Sequence, residues 1–290
     1  MSGSEKPDFS NAIAVGRELE LKLPDSQVVR DAYTQANAES QPWLFNHVVR
    51  SWLFGAKLAE RRTLKPDAEL VAVSVLLHDL GLARGGAPDR RFEVVGADAG
   101  RAFALSHNMG ERRAETVWDS IALHTTASIA HHKGTDVACC QHGIACDFGG
   151  FGFQELSDGD KKVILSAYPR LDMKNQLTTC LCGIAKNHPN TTRDNFIADF
   201  GLKFIPGYIR PSSVDFLQKA PFAEYASIAL VGRKAAGNQN PGKAVSLGQV
   251  CERDWTLWAW ARAGSFDDLV GAGEQRWRER DARRVRGIEV

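Results

Sequence analysis

The dipeptide His78-Asp79 closes an almost unbroken apolar run that extends from Leu70 to Leu77. An imidazole and a carboxylate at the end of such a segment lose hydration when the protein folds, and a shared divalent metal ion compensates both groups. The pair therefore indicates metal chemistry, provided that other ligands lie near it. Because the chain has 8 histidines, a single His-Asp pair also arises by chance, and the remaining ligands decide the argument.

Three further polar residues lie in apolar rows at helical spacing. His47 lies between Leu44 and Phe54 in one such row, and His124 and Asp147 each end another. Side chains on the apolar face of a helix point into the core, so these polar groups are expected there together with His78 and Asp79. Taken singly, each has an ordinary alternative, a hydrogen-bonded core histidine or an aspartate that caps a helix or pairs with a cation.

The elements that would position these residues are helices. Helical spacing recurs up to about residue 235 and strand-like alternation is scarce, which predicts an all-α fold. The entry signal Pro66-Asp67 and the exit residue Gly81 favour a helix, rather than a buried strand, for the segment that carries the His-Asp pair. The predicted helices are 25–38, 42–61, 67–80, 93–106, 111–124, 135–148, 157–167, 177–186 and 193–201.

The composition changes after about residue 235. A Gly-Asn-Gln-Asn-Pro-Gly segment at 237–242 predicts a linker, and tryptophans at 255, 258 and 260 and an Arg-rich stretch at 276–286 follow it. We expect two regions, a helical core at 1–235 and a Trp- and Arg-rich C-terminal extension at 236–290. The Arg-rich stretch is expected to be a solvated tail or a helix that packs on a partner.

The overall charge disfavours polyanionic and membrane partners. The 36 basic and 35 acidic residues leave a formal charge of +1, so no overall field attracts nucleic acid or an anionic membrane. No stretch approaches the roughly 20 apolar residues of a membrane span, and the first residues lack the apolar core of a signal peptide. We expect a cytoplasmic protein with a small-molecule partner and reduced, mostly buried cysteines. The sequence leaves open whether the chain forms a homo-oligomer.

The ordered set His47, His78-Asp79 and Asp147 resembles the HD-domain superfamily of metal-dependent hydrolases, whose ligands follow the order His, His-Asp, Asp. The resemblance covers roughly residues 40 to 200. It implies an HD-domain helical bundle around a buried metal site, with His47, His78, Asp79 and Asp147 as the metal ligands.

Four segments are similar to the cyanamide hydratase-like branch of that superfamily. They are Leu-Leu-His-Asp-Leu-Gly at 76–81, Arg-Phe-Glu-Val at 91–94, Ile-Ala-Leu-His at 121–124 and Asp-Phe-Gly at 147–149. The branch hydrates the nitrile of cyanamide to urea with zinc, so the resemblance implies a divalent cofactor, zinc first, with iron or manganese as alternatives.

The expected reaction uses water activated by the metal. Zinc lowers the pKa of a water that it binds from 15.7 toward about 7, which makes hydroxide available at neutral pH. We expect this hydroxide to attack the nitrile carbon while Glu93 or His124 moves a proton onto the nitrogen. The alternative for Glu93 is a structural role, in which it orients a ligand histidine.

Three other functions compete with this hypothesis. A phosphohydrolase acting on a nucleotide or another phosphate ester would use Arg84, Arg90 and Arg91 to bind phosphate, although Arg90 and Arg91 border a Gly- and Pro-containing loop and have solvation as their alternative. A dinuclear iron oxygenase would need a second ion on His124 and one of the neighbouring histidines in 131–132. A non-catalytic helical binding protein with a structural metal would use the Trp-rich extension as its contact surface.

Overall fold

The structure is a computed structural model that describes residues 8–222, and it contains no β-strand within that range, which confirms the predicted all-α class. Two short 3-10 helices lie at Phe153–Glu155 and Pro189–Thr191. The α-helices are α1 (Phe9–Glu18), α2 (Gln27–Glu39), α3 (Pro42–Arg61), α4 (Ala68–Leu77), α5 (Leu80–Ala83), α6 (Phe92–Ser106), α7 (Glu111–Ala122), α8 (Ala127–Ala130), α9 (Thr135–Gly149), α10 (Asp158–Ala167), α11 (Met173–Asn187), α12 (Ile197–Phe204) and α13 (Ser213–Gln218).

Helix α3 lies at the centre of the bundle. Nearly every residue between Trp43 and Ala59 is buried, on all faces of the helix, because α3 packs against α9, α4, α10 and α11. Pro42 occupies the first turn, where its missing N–H would have no intrahelical partner anyway. Both ends of α3 agree with the predicted range. A fully buried helix can carry a polar site far from water, and α3 contributes His47.

The apolar helix α4 ends earlier than predicted. Asp67 caps its N terminus, accepting a hydrogen bond from the backbone N–H of Leu70 at 3.1 Å. The helix stops at Leu77, and His78-Asp79 form a turn before the short helix α5. The prediction of one helix over 67–80 is therefore wrong at its C-terminal end. This turn allows the side chains of His78 and Asp79 to reach the same interior region. In a continuous helix these two side chains would point about 100° apart.

A second apolar cluster joins the beginning of α3 to α11 and α12. Its buried members include Trp43, Leu44, Phe92, Leu181 and Ile197. The sequence predicted α11 only from residue 177 and α12 from residue 193, whereas these helices begin at Met173 and Ile197. Since members of this cluster also line the cavity described below, α11 and α12 are part of the architecture that positions the site.

Several expectations fall on short or undescribed segments. Helices α1, α5, α8 and α13 were not predicted, and α7 ends at Ala122 rather than at residue 124. No described helix is long and apolar enough to cross a membrane. Five cysteines between residues 8 and 222 are free, three of them buried. The predicted boundary at residue 235, the Trp- and Arg-rich extension and Cys251 lie outside the described residues.

Candidate metal centre

His47 enters the site from the central helix α3. Its imidazole is buried, and Nδ1 lies 2.6 Å from Oδ2 of Asp147 on α9. Because an ionised carboxylate only accepts hydrogen bonds, Nδ1 carries the proton and Nε2 keeps its lone pair. That Nε2 atom lies 3.6 Å from Oδ2 of Asp79. The sequence prediction that His47 lies near the His-Asp pair is confirmed.

His78 is fully buried and carries an unsatisfied nitrogen. Its Nδ1 donates to the backbone carbonyl of Val75 at 2.7 Å. Its Nε2 lies 3.2 Å from Oδ2 of Asp79 without hydrogen-bond geometry, and it is one of the buried side-chain polar atoms that have no hydrogen-bond partner. A buried lone pair without a donor costs free energy, and a metal ion removes that cost. The donor set of His47, His78 and Asp79, whose ligand atoms all lie within 4.8 Å of one another, therefore fits a divalent ion.

His124 reaches the same carboxylate from the turn after α7. Its Nδ1 donates to the backbone carbonyl of Ile121 at 2.6 Å, and its Nε2 lies 3.8 Å from Oδ1 of Asp79. The ring of His78 lies between the other two, with centroids 5.2 Å from His47 and 4.8 Å from His124. All three imidazoles thus donate through Nδ1 and keep Nε2 for the region around Asp79. Metal-binding histidines typically have this arrangement, in which an outer acceptor fixes the tautomer.

Burial and the neighbouring side chains shift the pKa values of the cluster in opposite directions. Burial lowers the pKa of His124 to about 4 and also lowers the pKa of His47, although Asp147 opposes the second shift. Burial disfavours protonation of His78 as well, but the carboxylate of Asp79 raises its pKa. Burial alone would raise the pKa of Asp79, yet the surrounding imidazoles hold it well below its usual range. Asp79 therefore stays ionised although it is buried, and a buried carboxylate of this kind suits a cation site.

Asp147 has its oxygens occupied by other groups. Arg50, which has none of its surface exposed, donates hydrogen bonds to both oxygens. Its Nε donates to Oδ1 at 2.7 Å, and its Nη2 donates to Oδ2 at 2.8 Å. Arg170 adds a contact to Oδ1 at 3.1 Å. Burial would raise the pKa of Asp147, but the hydrogen bonds from His47 and Arg50 keep it well below the usual range. This predicted ligand therefore lies on the Nδ1 side of His47, opposite the nitrogen that is near Asp79.

Glu93, one of the two predicted proton carriers, lies in the first turn of α6 and is fully buried. Its Oε1 accepts hydrogen bonds from Arg91 at 2.7 Å and from the hydroxyl of Thr125 at 2.8 Å. Thr125 lines the cavity next to the histidines, whereas Glu93 is not among the residues that line it. Glu93 can therefore act on a molecule in the cavity only through Thr125 or after a rearrangement.

The histidines and Asp79 lie at the polar end of a largely apolar cavity of about 200 Å³. This volume is below the roughly 300–1,000 Å³ of sites that hold drug-sized ligands, so the cavity fits a small molecule. Its apolar wall includes Leu82, Phe92, Ile144, Phe148, Leu181 and Phe196. A wall of this kind favours an uncharged occupant.

Gln141 is a polar cavity residue that the sequence did not single out. Its Oε1 lies 2.7 Å from Nε2 of His131, so His131 donates to this amide instead of contributing to the cluster around Asp79. Arg50, Thr125 and Gln141 all escaped prediction because one polar residue on a helix or in a turn is ordinary surface composition. Among residues 8–222, His47, His78 and Asp79 form the only group of ligating side chains close enough together for one metal ion.

One comparison with known proteins finds a family that matches the part of the chain carrying the candidate metal ligands. The HD domain family matches residues 44–161, a range that contains His47, His78, Asp79, His124 and Asp147. The match covers less than half of the chain and lies within the described helical bundle. No curated protein matches the chain.

Proposed function

We propose that this protein is a metal-dependent hydratase or hydrolase that adds water to a small uncharged substrate, and that the reaction is hydration of a nitrile, with cyanamide giving urea. The observation that carries the proposal is the convergence of three imidazole Nε2 atoms on the buried carboxylate of Asp79 at the end of a small apolar cavity. The cofactor is one divalent ion, zinc in the first instance, with iron and manganese as alternatives.

His47, His78 and Asp79 would hold the ion. A zinc ion there would supply hydroxide as a nucleophile at neutral pH. The apolar wall keeps bulk water from the reacting carbon and strengthens electrostatic interactions with the polar end of the cavity. Cyanamide, whose three heavy atoms lie in a line, fits the small volume of the cavity. The protein thus contributes ion binding, exclusion of water and orientation of the substrate.

A proton must also move from water to the substrate nitrogen. In the proposed reaction Glu93 holds this proton and returns it through the hydroxyl of Thr125, which lies between Glu93 and the cavity. His124, the other predicted carrier, has its pKa lowered to about 4 by burial, so it is a poor proton donor at neutral pH. The lowered pKa of His124 therefore favours Glu93 for this role, acting through Thr125.

The phosphohydrolase alternative is disfavoured by the charges around the cavity. None of the described residues that line the cavity is lysine or arginine, so a phosphate dianion would lose its hydration without a protein cation to replace it. The three arginines proposed to bind phosphate are each paired with a carboxylate: Arg84 with Glu39, Arg90 with Asp98 and Arg91 with Glu93.

The test measures urea formation from cyanamide and phosphate release from a nucleoside monophosphate. The full chain is stripped with chelator and reloaded with zinc, iron or manganese. We expect urea formation with one bound ion and little phosphate release. Phosphate release without urea would contradict the proposal and support the phosphohydrolase. Neither activity in a zinc-loaded protein would favour a non-catalytic binding protein.

Asp79→Ala is the decisive variant. It should lose both bound zinc and turnover by more than about 100-fold, because loss of an outer partner alone typically costs 10–100-fold. Asp98→Ala serves as the control, since Asp98 forms an exposed ion pair with Arg90. If Asp79→Ala kept its zinc and its activity, the assigned metal centre would be wrong.

A further inference from the structure

We infer that the cavity binds an apolar part of the substrate beside the reacting group, so that the substrate is a nitrile larger than cyanamide, with an uncharged apolar substituent of about six heavy atoms. The inference rests on the proposed function and names the substrate class of the same cavity. Three observations carry it: the volume of the cavity, the direction in which it runs and the chemistry of its wall.

The volume of the cavity exceeds what cyanamide needs. An apolar cavity of about 150 Å³ binds benzene, which has six carbon atoms, so each heavy atom needs about 25 Å³. The cavity of this protein has about 200 Å³ and on that scale holds about eight heavy atoms. Cyanamide has only three heavy atoms, and the side chains around the remaining space would lose dispersion contacts. A larger substrate would fill that space.

The cavity runs from the buried histidines to two exposed aromatic side chains. His47, His78 and His124 line one end and are at most 5% exposed. Phe148 and Phe151 also line the cavity but are each 45% exposed, so they lie at its mouth. A nitrile whose carbon lies beside the histidines must therefore extend its substituent toward these two phenylalanines.

Most of the side chains that line the cavity are apolar, and they come from several helices. Leu82 belongs to α5, Phe92 to α6, Ile144 to α9 and Leu181 to α11. An apolar substituent loses no hydrogen bond against such side chains and gains both hydrophobic burial and dispersion contacts. The wall therefore selects for carbon rather than for polar atoms.

The polar residues of the cavity do not provide for a charged substituent. Apart from the histidines, the described polar residues that line it are Asp79, Thr125 and Gln141. The hydroxyl of Thr125 already donates to Glu93, and Oε1 of Gln141 already accepts from His131. Since Asp79 belongs to the proposed ion site, a charged substituent would lose its hydration without gaining a partner.

The reaction itself is the same for every nitrile. The oxygen of water forms a bond to the nitrile carbon, both hydrogens of the water end on the nitrogen, and the product is a primary amide with no leaving group. Because the substituent takes no part in this step, a series of alkyl nitriles changes the size of the substrate with little change in its reactivity.

Straight-chain alkyl nitriles test the inference in the zinc-loaded full chain. They range from acetonitrile, with three heavy atoms, through heptanenitrile, with eight, to decanenitrile, with eleven. We expect kcat/KM for amide formation to rise at least about 10-fold from acetonitrile to heptanenitrile, because each added methylene fills apolar space, and to rise no further beyond it. A kcat/KM that stays constant or falls along the series would overturn the inference.

Benzene provides a readout that does not depend on turnover, since it has the size of the proposed substituent and cannot be hydrated. Isothermal titration of the zinc-loaded wild type should show one saturable site. Ala145→Leu adds three carbon atoms to the cavity wall and should weaken benzene binding more than about 10-fold. The matched control is Ala138→Leu, which makes the same change in α9 at a residue that is not among those lining the cavity.

The control should bind benzene as the wild type does. Absence of saturable binding in the wild type, or equal binding in Ala145→Leu, would overturn the inference. The wild-type titration and the alkyl series decide the matter even if Ala145→Leu fails to fold.

The results separate this inference from the proposed function. Turnover of cyanamide without a rise along the alkyl series would support the function and overturn the inference. Benzene binding that Ala145→Leu weakens, with no turnover of any nitrile, would support the apolar site and contradict the function.

Discussion

At the scale of single residues, Arg50 shows how a buried charge stabilises a site that it does not line. Its guanidinium binds both oxygens of Asp147 and donates to the carbonyls of Tyr168 and Pro169 at 3.0 and 3.1 Å. Every polar group of this arginine is therefore used within the protein interior. Removing one partner of such a pair leaves the other as an uncompensated buried charge.

We predict that Arg50→Met lowers the free energy of unfolding by about 3–5 kcal/mol, because Asp147 then loses its main cation. The double variant Arg50→Met with Asp147→Leu should recover part of this loss, since it removes both charges. Arg90→Met is the control, and its half-exposed ion pair with Asp98 should contribute less than about 1 kcal/mol. Urea denaturation measures all three values. Equal losses in the Arg50 and Arg90 single variants would contradict the prediction.

The same residue explains where sequence reasoning at this scale stops. His47, His78 and Asp79 could be found because a polar group in an apolar row violates the expected pattern, and the structure brings them together. Arg50 follows two valines in the same helix, but one arginine per helix is common, and only the fold shows that this one is buried. The roles assigned to Glu93, His124 and Asp147 stay predictions.

At the scale of elements, the crossing of α3 and α9 determines how closely His47 approaches Asp147. The two helices touch through Gly55 and Gly143, where backbones approach so closely that a Cβ atom on Gly143 would lie 2.2 Å from the carbonyl oxygen of Ser51. This contact is between backbone atoms, so no side-chain rotation can relieve it.

We predict that Gly143→Ala lowers the free energy of unfolding by at least about 1–3 kcal/mol, the usual cost of overpacking, since the helices must move apart. Gly183→Ala in α11 is the matched control. A Cβ there meets no atom within 4 Å, so the higher helix propensity of alanine should leave stability unchanged or raise it by up to about 1 kcal/mol. Thermal unfolding of both variants checks the difference. A Gly143→Ala protein as stable as the wild type would show that the crossing has room to adjust.

Element prediction succeeded where apolar residues at helical spacing continue over many residues. Helix α3 has both predicted ends because Pro42 opens it and its buried stripe is continuous. The end of α4 could not be predicted, because the apolar pattern continues past Leu77. Helical spacing alone does not show whether His78 and Asp79 extend the helix or form a turn after it. Helix α8 has only four residues, too few for any periodic signal.

At the scale of the whole molecule, folding and the proposed metal binding would be coupled, because the bundle buries an ionised Asp79 among imidazoles from α3, from the turn after α4 and from the turn after α7. An ion that binds only the folded chain stabilises it by mass action, by about 2.7 kcal/mol at 100 times the dissociation constant. For a domain of this size that corresponds to a rise of roughly 5–10 °C in Tm, at about 2–4 °C per kcal/mol.

We therefore predict that zinc raises the Tm of the chelator-treated wild type by roughly 5–10 °C at that concentration. Asp79→Ala should show no such rise, because the ion loses its carboxylate ligand, while Asp98→Ala should respond as the wild type does, since its carboxylate is exposed. Differential scanning fluorimetry with increasing zinc checks the shift. An equal shift in Asp79→Ala would place the stabilising ion elsewhere on the chain, and no shift in the wild type would mean that the bundle buries Asp79 without a metal ion.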